Sequence, residues 1–231
     1  MKKGIRYKTC MALGLLAATA LLHLLVDRYT GELPGREAFA AGKTRADEKK
    51  IALTFDDGPH PHYTAQLLDG LKERGVPATF FVTGEHAELH PEVIRRMHEE
   101  GHLIGNHTYS HIQLSENNKE EFKNQLIKTN EIIKNITGEE VQYVRPPYGT
   151  WDKKFEKELN MFPVLWTIDP LDWCSTNVAG IREKVVSKAK ENGIILMHDY
   201  YPSTITAALE VVDELEKQGY EFVTVEEILF D

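Results

Sequence analysis

The sequence has almost no cysteine, and this limits the kinds of fold it can adopt. Only Cys10 and Cys174 occur among 231 residues, and Cys10 lies in an apolar stretch near the N-terminus. A disulfide framework is therefore excluded, and we expect Cys174 to be a small packed residue rather than a nucleophile. The chain also lacks internal repeats and low-complexity tracts, which excludes collagen-like chains and general disorder.

Positive charge is scarce as well. Lys and Arg number 27 against 36 Asp and Glu, so the formal net charge is −9. Because residues 1–40 are themselves basic, the acidic excess lies in the remainder of the chain. An acidic protein repels polyanions. We therefore expect no nucleic-acid partner, and the charge favours a neutral or cationic polymer.

Long apolar runs are missing except near the N-terminus. Four basic residues precede position 9, and residues 10–26 are almost wholly apolar. This pattern is typical of a secretory signal or an uncleaved membrane anchor, assigned here to residues 1–29, with a buried core helix as the alternative. The sequence Ala38-Phe39-Ala40 lies well past the run, so cleavage stays open. We expect an exported protein, either membrane-anchored and facing the cell wall or secreted.

The rest of the chain divides into a linker and one domain. Residues 30–49 are rich in glycine, proline, alanine and charge without an apolar period, which indicates a linker. In residues 50–231, β-rich runs alternate with helical patterns. Strands are predicted at Ile51–Phe55, Ala78–Val82, Leu103–Gly105, Gln142–Val144, Phe162–Trp166, Ile194–Met197 and Glu221–Val223. Helices are predicted at about Tyr63–Arg74, Pro91–Glu100, Lys119–Thr137, Trp151–Leu159, Ile181–Glu191, Ser203–Lys217 and, as a short final helix, after Thr224.

This alternation predicts an α/β fold with parallel strands joined by right-handed crossovers. About seven strand–helix units suit a (β/α) barrel somewhat smaller than the usual eight, and an open doubly wound sheet is the alternative. In either fold the reactive residues lie at the C-terminal ends of the strands. Polar clusters do follow the predicted strands.

Two of these clusters contain possible metal ligands. Asp56 and Asp57 end the first strand within TFDDGP, where the repulsion between two carboxylates favours a nearby cation, although a solvated turn also explains them. His107 and His111 in HTYSH are four residues apart, which predicts that both lie on one face of a helical turn. With a carboxylate from another strand end they would form a His₂Asp site with an open coordination position; structural histidines are the alternative.

Three further clusters follow later strands. Arg145 in RPPYG can orient a carboxylate through two hydrogen bonds. Asp172 and Trp173 in DPLDW could form a site wall whose charge raises a histidine pKa, and His198 in ILMHD could act as a general acid. A surface loop, a turn with a packed Trp and a core histidine explain each cluster separately. Their shared position at successive strand ends favours one common site.

In this order, the five clusters resemble the motifs of the NodB-homology polysaccharide deacetylases, carbohydrate esterase family 4, from about Lys50 to the C-terminus. The resemblance implies a distorted β/α barrel that holds a divalent metal, with zinc expected first and cobalt or nickel also open. It implies that Asp57, His107 and His111 bind the metal. Asp56 would be the general base, and Arg145 would hold it in place.

The resemblance also implies roles for the later motifs. His198 would be the general acid, paired with Asp172. Trp173 and Leu196 would line the pocket for the acetyl methyl group, and the backbone N–H of Tyr148 would help to stabilise an oxyanion. The sequence departs from the family only outside the motifs, at Cys174 and at the pair Tyr200-Tyr201.

The function implied is hydrolytic removal of N-acetyl groups from N-acetylglucosamine residues of an extracellular polysaccharide, with peptidoglycan as the first expectation. An acetylxylan-type O-deacetylase and a chitooligosaccharide deacetylase are the alternatives that use the same chemistry. A catalytically silent carbohydrate-binding module is the alternative from another class. The expected partners are the polysaccharide and, through the N-terminal segment, a membrane.

Overall fold

A computed structural model describes residues 49–230 of the chain. The predicted signal or anchor at 1–29 and the predicted linker, except its last residue, lie outside the described residues. Within the described range, no helix is both long enough and apolar enough to cross a membrane.

The described residues form one sheet of seven strands, and every pairing in it is parallel. The strands are β1 (Lys49–Asp56), β2 (Thr79–Val82), β3 (Leu103–Asn106), β4 (Tyr143–Val144), β5 (Phe162–Pro163), β6 (Gly193–His198) and β7 (Tyr220–Val223). Each lies at a strand position predicted from the sequence. The prediction of about seven parallel strands is confirmed.

The strand order distinguishes the two predicted folds. It runs β5-β4-β3-β2-β1-β6, with β7 also paired to β1, so β1 to β5 are neighbours in sequence order and β6 comes back beside β1. A bridge between the segment after β5 and β6 makes this order circular, as in a barrel rather than an open doubly wound sheet. The predicted strand at 162–166 is too long, since β5 ends at Pro163, although the Val164 N–H still donates to the Val144 carbonyl. The chain beyond it forms a parallel bridge between Ile168 and Ile195 of β6. The result is a half-barrel of parallel strands.

Strand β1 is the centre of the sheet. It pairs with β6 from Ile51 to Asp56, with β2 beside its last residues and with β7 beside its first. Its side chains alternate between two faces. Ile51, Leu53 and Phe55 belong to the large apolar core shared with the helices, whereas Ala52 packs in a smaller cluster with residues of neighbouring strands. The same alternation places Asp56 on the face of Ala52, inside the half-barrel.

Eight α-helices lie within the described residues, of which one was not predicted. They are α1 (Tyr63–Arg74), α2 (Gly84–Leu89), α3 (Pro91–Glu99), α4 (Lys119–Thr137), α5 (Lys154–Leu159), α6 (Val178–Val186), α7 (Pro202–Lys217) and α8 (Val225–Phe230). The six residues of α2 are too few to show an apolar period, which explains why the sequence did not reveal it.

Helix ends follow the local chemistry. Gly75 ends α1 with a φ of 65°, and its N–H donates to the carbonyls of Leu71 and Lys72. Helix α6 begins at Val178 rather than at the predicted Ile181, because the Asn177 side chain accepts the N–H of Gly180.

Two other predicted helix boundaries were wrong. Helix α6 ends at Val186, not at Glu191. Helix α5 starts at Lys154, three residues after the predicted Trp151, since Asp152 accepts the Lys154 N–H in a turn just before it.

Candidate active site

The five motifs meet at the C-terminal end of the half-barrel, around a cavity of about 410 Å³. Eight of the ten predicted site residues line this cavity: Asp56, Asp57, His107, His111, Tyr148, Trp173, Leu196 and His198. The other two, Arg145 and Asp172, are buried behind the lining. The register explains part of the assembly, because Asp56 is directly paired with His198 across β1 and β6.

Three of the lining residues form a cluster with the geometry of a metal centre. Nε2 of His107 and Nε2 of His111 each lie 3.5 Å from Oδ1 of Asp57. One ligand atom from each of the three residues lies within 4.8 Å of the others. Two imidazole nitrogens and one carboxylate oxygen are a donor set suited to zinc or a similar divalent metal, with coordination positions left open.

The protonation pattern of the cluster fits a cation. Nδ1 of His107 donates to the carbonyl oxygen of Arg145 at 2.6 Å, which leaves Nε2 to face Asp57. Burial would raise the pKa of Asp57, but the hydrogen bond and charge of His107, with the charges of His198 and His111, lower it to about 2. Burial, together with the charge of His107, lowers the pKa of His111. Burial would lower the pKa of His107, but the charges of Asp56 and Asp57 and the hydrogen bond to Asp57 outweigh it and raise the pKa. A bound cation would replace the proton of His107, because a carboxylate and neutral imidazoles are the forms that bind metal.

The prediction of a helical turn at His107–His111 was wrong. The segment is irregular, with positive φ at Thr108 (64°) and His111 (54°). It is held by side chains instead of helical bonds: Asn106 accepts the N–H of Thr108, and Gln125 of α4 accepts the N–H groups of Tyr109 and Ser110. The two histidines therefore meet because the loop folds back, not because of helical spacing.

Backbone strain collects in the motifs. Seven non-glycine residues of the described chain have positive φ, and two of these are asparagines, which tolerate that conformation. The other five all belong to the predicted motifs: Asp57, Thr108, His111, Tyr148 and Leu171. Strained backbone of this kind persists where the surrounding structure imposes it, most often at functional sites.

The turn after Asp57 explains the glycine of the first motif. A Cβ atom on Gly58 would lie 2.3 Å from Oδ2 of Asp199, so only glycine fits. Asp199 is buried and accepts a hydrogen bond from the Thr64 hydroxyl of α1. Burial raises the pKa of Asp199 to about 7. The last motif thus packs directly against the first.

Asp56 is held by a buried arginine. Nη1 of Arg145 lies 2.8 Å from Oδ1 of Asp56 and also donates to the Thr54 hydroxyl at 2.6 Å. The Arg145 side chain is fully buried, donates to the Val164 carbonyl and lies over the ring of Phe81. This guanidinium fixes one oxygen of Asp56 and leaves the other towards His107, 3.8 Å from its Nε2. The carboxylate is therefore kept in one orientation at the cavity wall.

His198 and Asp172 form the second buried pair. Nδ1 of His198 lies 3.0 Å from Oδ1 of Asp172, whose other oxygen accepts from the His198 N–H and the Thr204 hydroxyl. Burial would lower the pKa of His198, but the hydrogen bond and charge of Asp172 outweigh it and raise the pKa to about 9. The imidazole is therefore protonated at neutral pH, which is the form a proton donor needs.

Replacing Asp172 by asparagine should shift the basic limb of the pH–rate profile to lower pH. The carboxylate stabilises the imidazolium, so its loss should lower the pKa of His198 by about one to two units, the usual range for a close opposite charge. The protonated donor then disappears at lower pH. The measurement is kcat/KM for acetate release from pH 6 to 10.

Asp169→Asn is the matched control for this pH shift. Asp169 also lines the cavity but accepts the N–H of Leu171, and no contact with His198 is seen among the described residues. A basic limb that moves equally in both variants would show that Asp172 acts only as one more nearby charge.

Four further residues line the cavity that the sequence reasoning had not assigned: Pro146, Trp166, Asp169 and Tyr201. Pro146, Asp169 and Tyr201 lie within or next to a recognised motif, and closeness to that motif in the sequence was the signal that could have identified them. Trp166 lay in a predicted strand. His86 was also missed: its Nδ1 lies 2.7 Å from the carbonyl oxygen of Asp57, on the short helix α2. No signal in the sequence marked it.

The expectation that Cys174 is a packed residue was wrong. The residue is exposed, and its thiol donates to the carbonyl oxygen of Leu171 at 3.3 Å. It lies in the 3₁₀ turn Asp172–Cys174, which turns Asp172 inwards and leaves Trp173 about half exposed at the cavity. A short turn cannot bury all of its side chains.

Fold and site together define a hydrolase of the α/β-barrel type with a candidate metal centre at the C-terminal ends of its strands. The sequence profile of the family described as polysaccharide deacetylase matches residues 43–164. The chain belongs to this family. Its expected class, a hydrolase that acts on amide C–N bonds in polysaccharides, is thereby confirmed.

The relatives include several cell-wall enzymes. The chain is 38% identical over 186 residues to a peptidoglycan-N-acetylglucosamine deacetylase of Bacillus cereus, covering 78% of this chain and 68% of that protein. It is 41% identical to the peptidoglycan-N-acetylmuramic acid deacetylase PdaC of Bacillus subtilis, covering 79% of this chain but 39% of PdaC.

One further relative and one solved structure are also similar to the chain. A chitooligosaccharide deacetylase of Rhizobium leguminosarum bv. trifolii is 37% identical, covering 83% of this chain and 94% of that protein. The solved structure of Bacillus subtilis PdaC superimposes with a TM-score of 0.74 at 40% identity, covering 79% of this chain and 90% of the solved chain.

Proposed function

We propose that this protein removes N-acetyl groups from N-acetylglucosamine residues of an extracellular polysaccharide, with peptidoglycan as the substrate, in a reaction that depends on a divalent metal, zinc first. One observation carries the proposal: a His₂Asp cluster, an Asp–Arg pair and a His–Asp pair face one another across a single cavity. These are the groups that hydrolysis of an acetamide requires.

Amide hydrolysis needs an activated water, stabilisation of the oxyanion and a proton for the leaving amine. A divalent metal held by Asp57, His107 and His111 would polarise the acetyl carbonyl and make the water more acidic. Asp56 accepts the proton of the attacking water, because Arg145 holds the carboxylate at the cavity wall and keeps its charge compensated.

The second pair serves the leaving group. His198 carries a proton at neutral pH because of Asp172 and gives it to the nitrogen as the C–N bond breaks. Without that proton an amine anion would have to leave. Leu196, which is buried, and Trp173 both line the cavity and supply apolar surface for the acetyl methyl group. The backbone N–H of Tyr148 is the proposed donor to the oxyanion.

The choice of substrate rests on composition and on relatives. An acidic chain suits a polymer without strong negative charge. Two of the relatives above are named as peptidoglycan deacetylases and one as a chitooligosaccharide deacetylase. We propose export for the same chain, with the basic and apolar N-terminus acting as a signal or membrane anchor towards the cell wall.

The deciding experiment measures acetate release by the purified chain from N-acetylglucosamine oligomers, peptidoglycan and acetylxylan. Each substrate is tested with chelator and again after zinc is added, with cobalt and nickel in parallel. We expect release from the N-acetylated substrates that stops with chelator and returns with metal. The substrate from which acetate is released faster, peptidoglycan or the free oligomer, identifies the physiological polymer.

Three results would contradict the proposal. Release from acetylxylan alone would make the protein an O-deacetylase. Tight glycan binding without release from any substrate, with metal bound, would make it a binding module. Release that is unaffected by thorough chelation would refute the metal dependence.

A further inference from the structure

A row of aromatic rings leads out of the catalytic cavity. Tyr201 lines the cavity and is 38% exposed. Its ring meets that of Tyr200 edge-on, with centroids 6.4 Å apart, and Tyr200 meets His60 at 4.9 Å. His60 in turn stacks on Tyr63 at 4.3 Å. We call the residues Tyr201, Tyr200, His60 and Tyr63 the aromatic strip.

The strip is rigidly supported. Tyr200 stacks on His86 with centroids 5.3 Å apart, and His86 is hydrogen-bonded to the Asp57 carbonyl. The His60 ring is fixed because its Nδ1 accepts the N–H groups of His62 and Tyr63. Rings whose rotamers are fixed in this way lose little entropy when they bind a ligand.

The strip lacks charge, in contrast to the acidic chain around it. Burial, together with the nearby His62, His90 and His86, lowers the pKa of His60, which keeps this imidazole neutral at pH 7. Burial and the charges of Asp57 and Asp172 raise the pKa of Tyr201, so its phenol also stays neutral. The surface therefore offers ring faces and hydroxyl groups but no ion-pairing group.

Such a surface matches a sugar ring. A pyranose has a face of C–H groups that packs on an aromatic ring, and hydroxyl groups at its edge that bond to polar tips such as the tyrosine OH. The continuity of the strip with the cavity specifies which sugars these are. When the acetamido group of one sugar is in the cavity, the neighbouring sugars of the polymer lie outside the cavity mouth. Tyr201 lines the cavity and also belongs to the strip, so the strip is where those neighbouring sugars would lie.

We propose that the aromatic strip is a glycan subsite that binds the sugar units next to the N-acetylglucosamine being deacetylated, and that it gives the enzyme its preference for longer chains. The inference rests on the proposed function. It assigns a role to Tyr200 and Tyr201, which lie outside the family motifs.

The test compares Tyr200→Ala, Tyr200→Phe and the wild-type full chain with zinc on the dimer and the pentamer of N-acetylglucosamine. We expect Tyr200→Ala to lower the ratio of kcat/KM for pentamer over dimer by about tenfold, mainly through KM, as for a buried tyrosine at a binding interface. Tyr200→Phe keeps the ring and should keep the ratio. Phe230→Ala, an exposed aromatic in α8, is the matched control and should change neither rate.

A second readout does not depend on turnover. Pentamer binding to the metal-free full chain, measured by calorimetry, should weaken by about tenfold in Tyr200→Ala and little in Tyr200→Phe. If the wild type binds the pentamer but releases no acetate from any substrate, the proposed function fails while the strip stands.

Two outcomes would overturn the inference. One is an unchanged pentamer-to-dimer ratio and unchanged binding in Tyr200→Ala. The other is an equal loss on both oligomers together with lost zinc, measured by atomic absorption. The latter would show that Tyr200 only supports His86 and, through it, Asp57.

Discussion

Replacement of His107 by alanine is expected to remove bound metal and activity together. The residue supplies one of three ligand atoms, it is 2% exposed, and its Nδ1 bond to the Arg145 carbonyl orients Nε2 towards Asp57. The two remaining ligands are Asp57 and His111, and His111 lies on a partly exposed loop. Two ligands should not hold zinc during dialysis against a metal-free buffer. Loss of the polarising metal removes several kcal/mol of transition-state stabilisation, so kcat/KM should fall by about a thousandfold or more.

The matched control for His107 lies at the other end of the same strand. His102 precedes β3 as His107 follows it, is also buried and accepts the Ala78 N–H. His102→Gln should cost stability but keep metal and turnover in the folded fraction. Zinc content by atomic absorption and thermal unfolding separate loss of ligand from loss of fold. A His107→Ala protein with full zinc content and full rate would remove His107 from the ligand set.

Replacement of His198 by alanine is expected to keep the metal and slow turnover. The imidazole contributes no atom to the His₂Asp cluster, and its proton is maintained by Asp172. General acid catalysis usually accounts for a factor of about 10² to 10⁴, so kcat on N-acetylglucosamine oligomers should fall by that amount. Zinc content should match the wild type.

The nature of the leaving group provides a sharper test of His198. An activated acetyl ester such as 4-nitrophenyl acetate releases a stable anion and needs no proton. His198→Ala should therefore slow ester cleavage far less than amide cleavage. Equal losses on both substrates would show that His198 acts in binding or in shaping the cavity, and unchanged amide turnover would exclude it from the mechanism.

Much of the fold could be predicted because it is encoded locally. Apolar runs at Ile51–Phe55 and Ile194–Met197 correspond to buried strands, and Gly75 and Gly138 end helices through left-handed backbone. Thr224 and Glu227 have the spacing of a capping box, and the Thr224 N–H donates to the Glu227 carboxylate before α8. These signals lie within a few residues of the structure that they specify.

The candidate site could be predicted only as a set of residues. The motifs placed chemical groups after successive strands, and parallel strands bring those ends together. Which groups touch is a matter of long-range packing. Arg145 reaches Asp56 across 89 positions of sequence because both lie on the inner face of the half-barrel. The sequence suggested a carboxylate partner for Arg145 but could not select it without the family resemblance.

By itself the sequence determined the parallel α/β architecture, the strand ends that carry chemistry and the acidic character of the chain, since each depends on composition or short-range pattern. Tertiary structure alone decided the fold-back of the loop at His107–His111, the support of Asp57 by His86 and the aromatic strip from Tyr201 to Tyr63. Each of these arises where segments far apart in the chain pack together. Their geometry depends on the shape left between neighbouring elements, which no local pattern records.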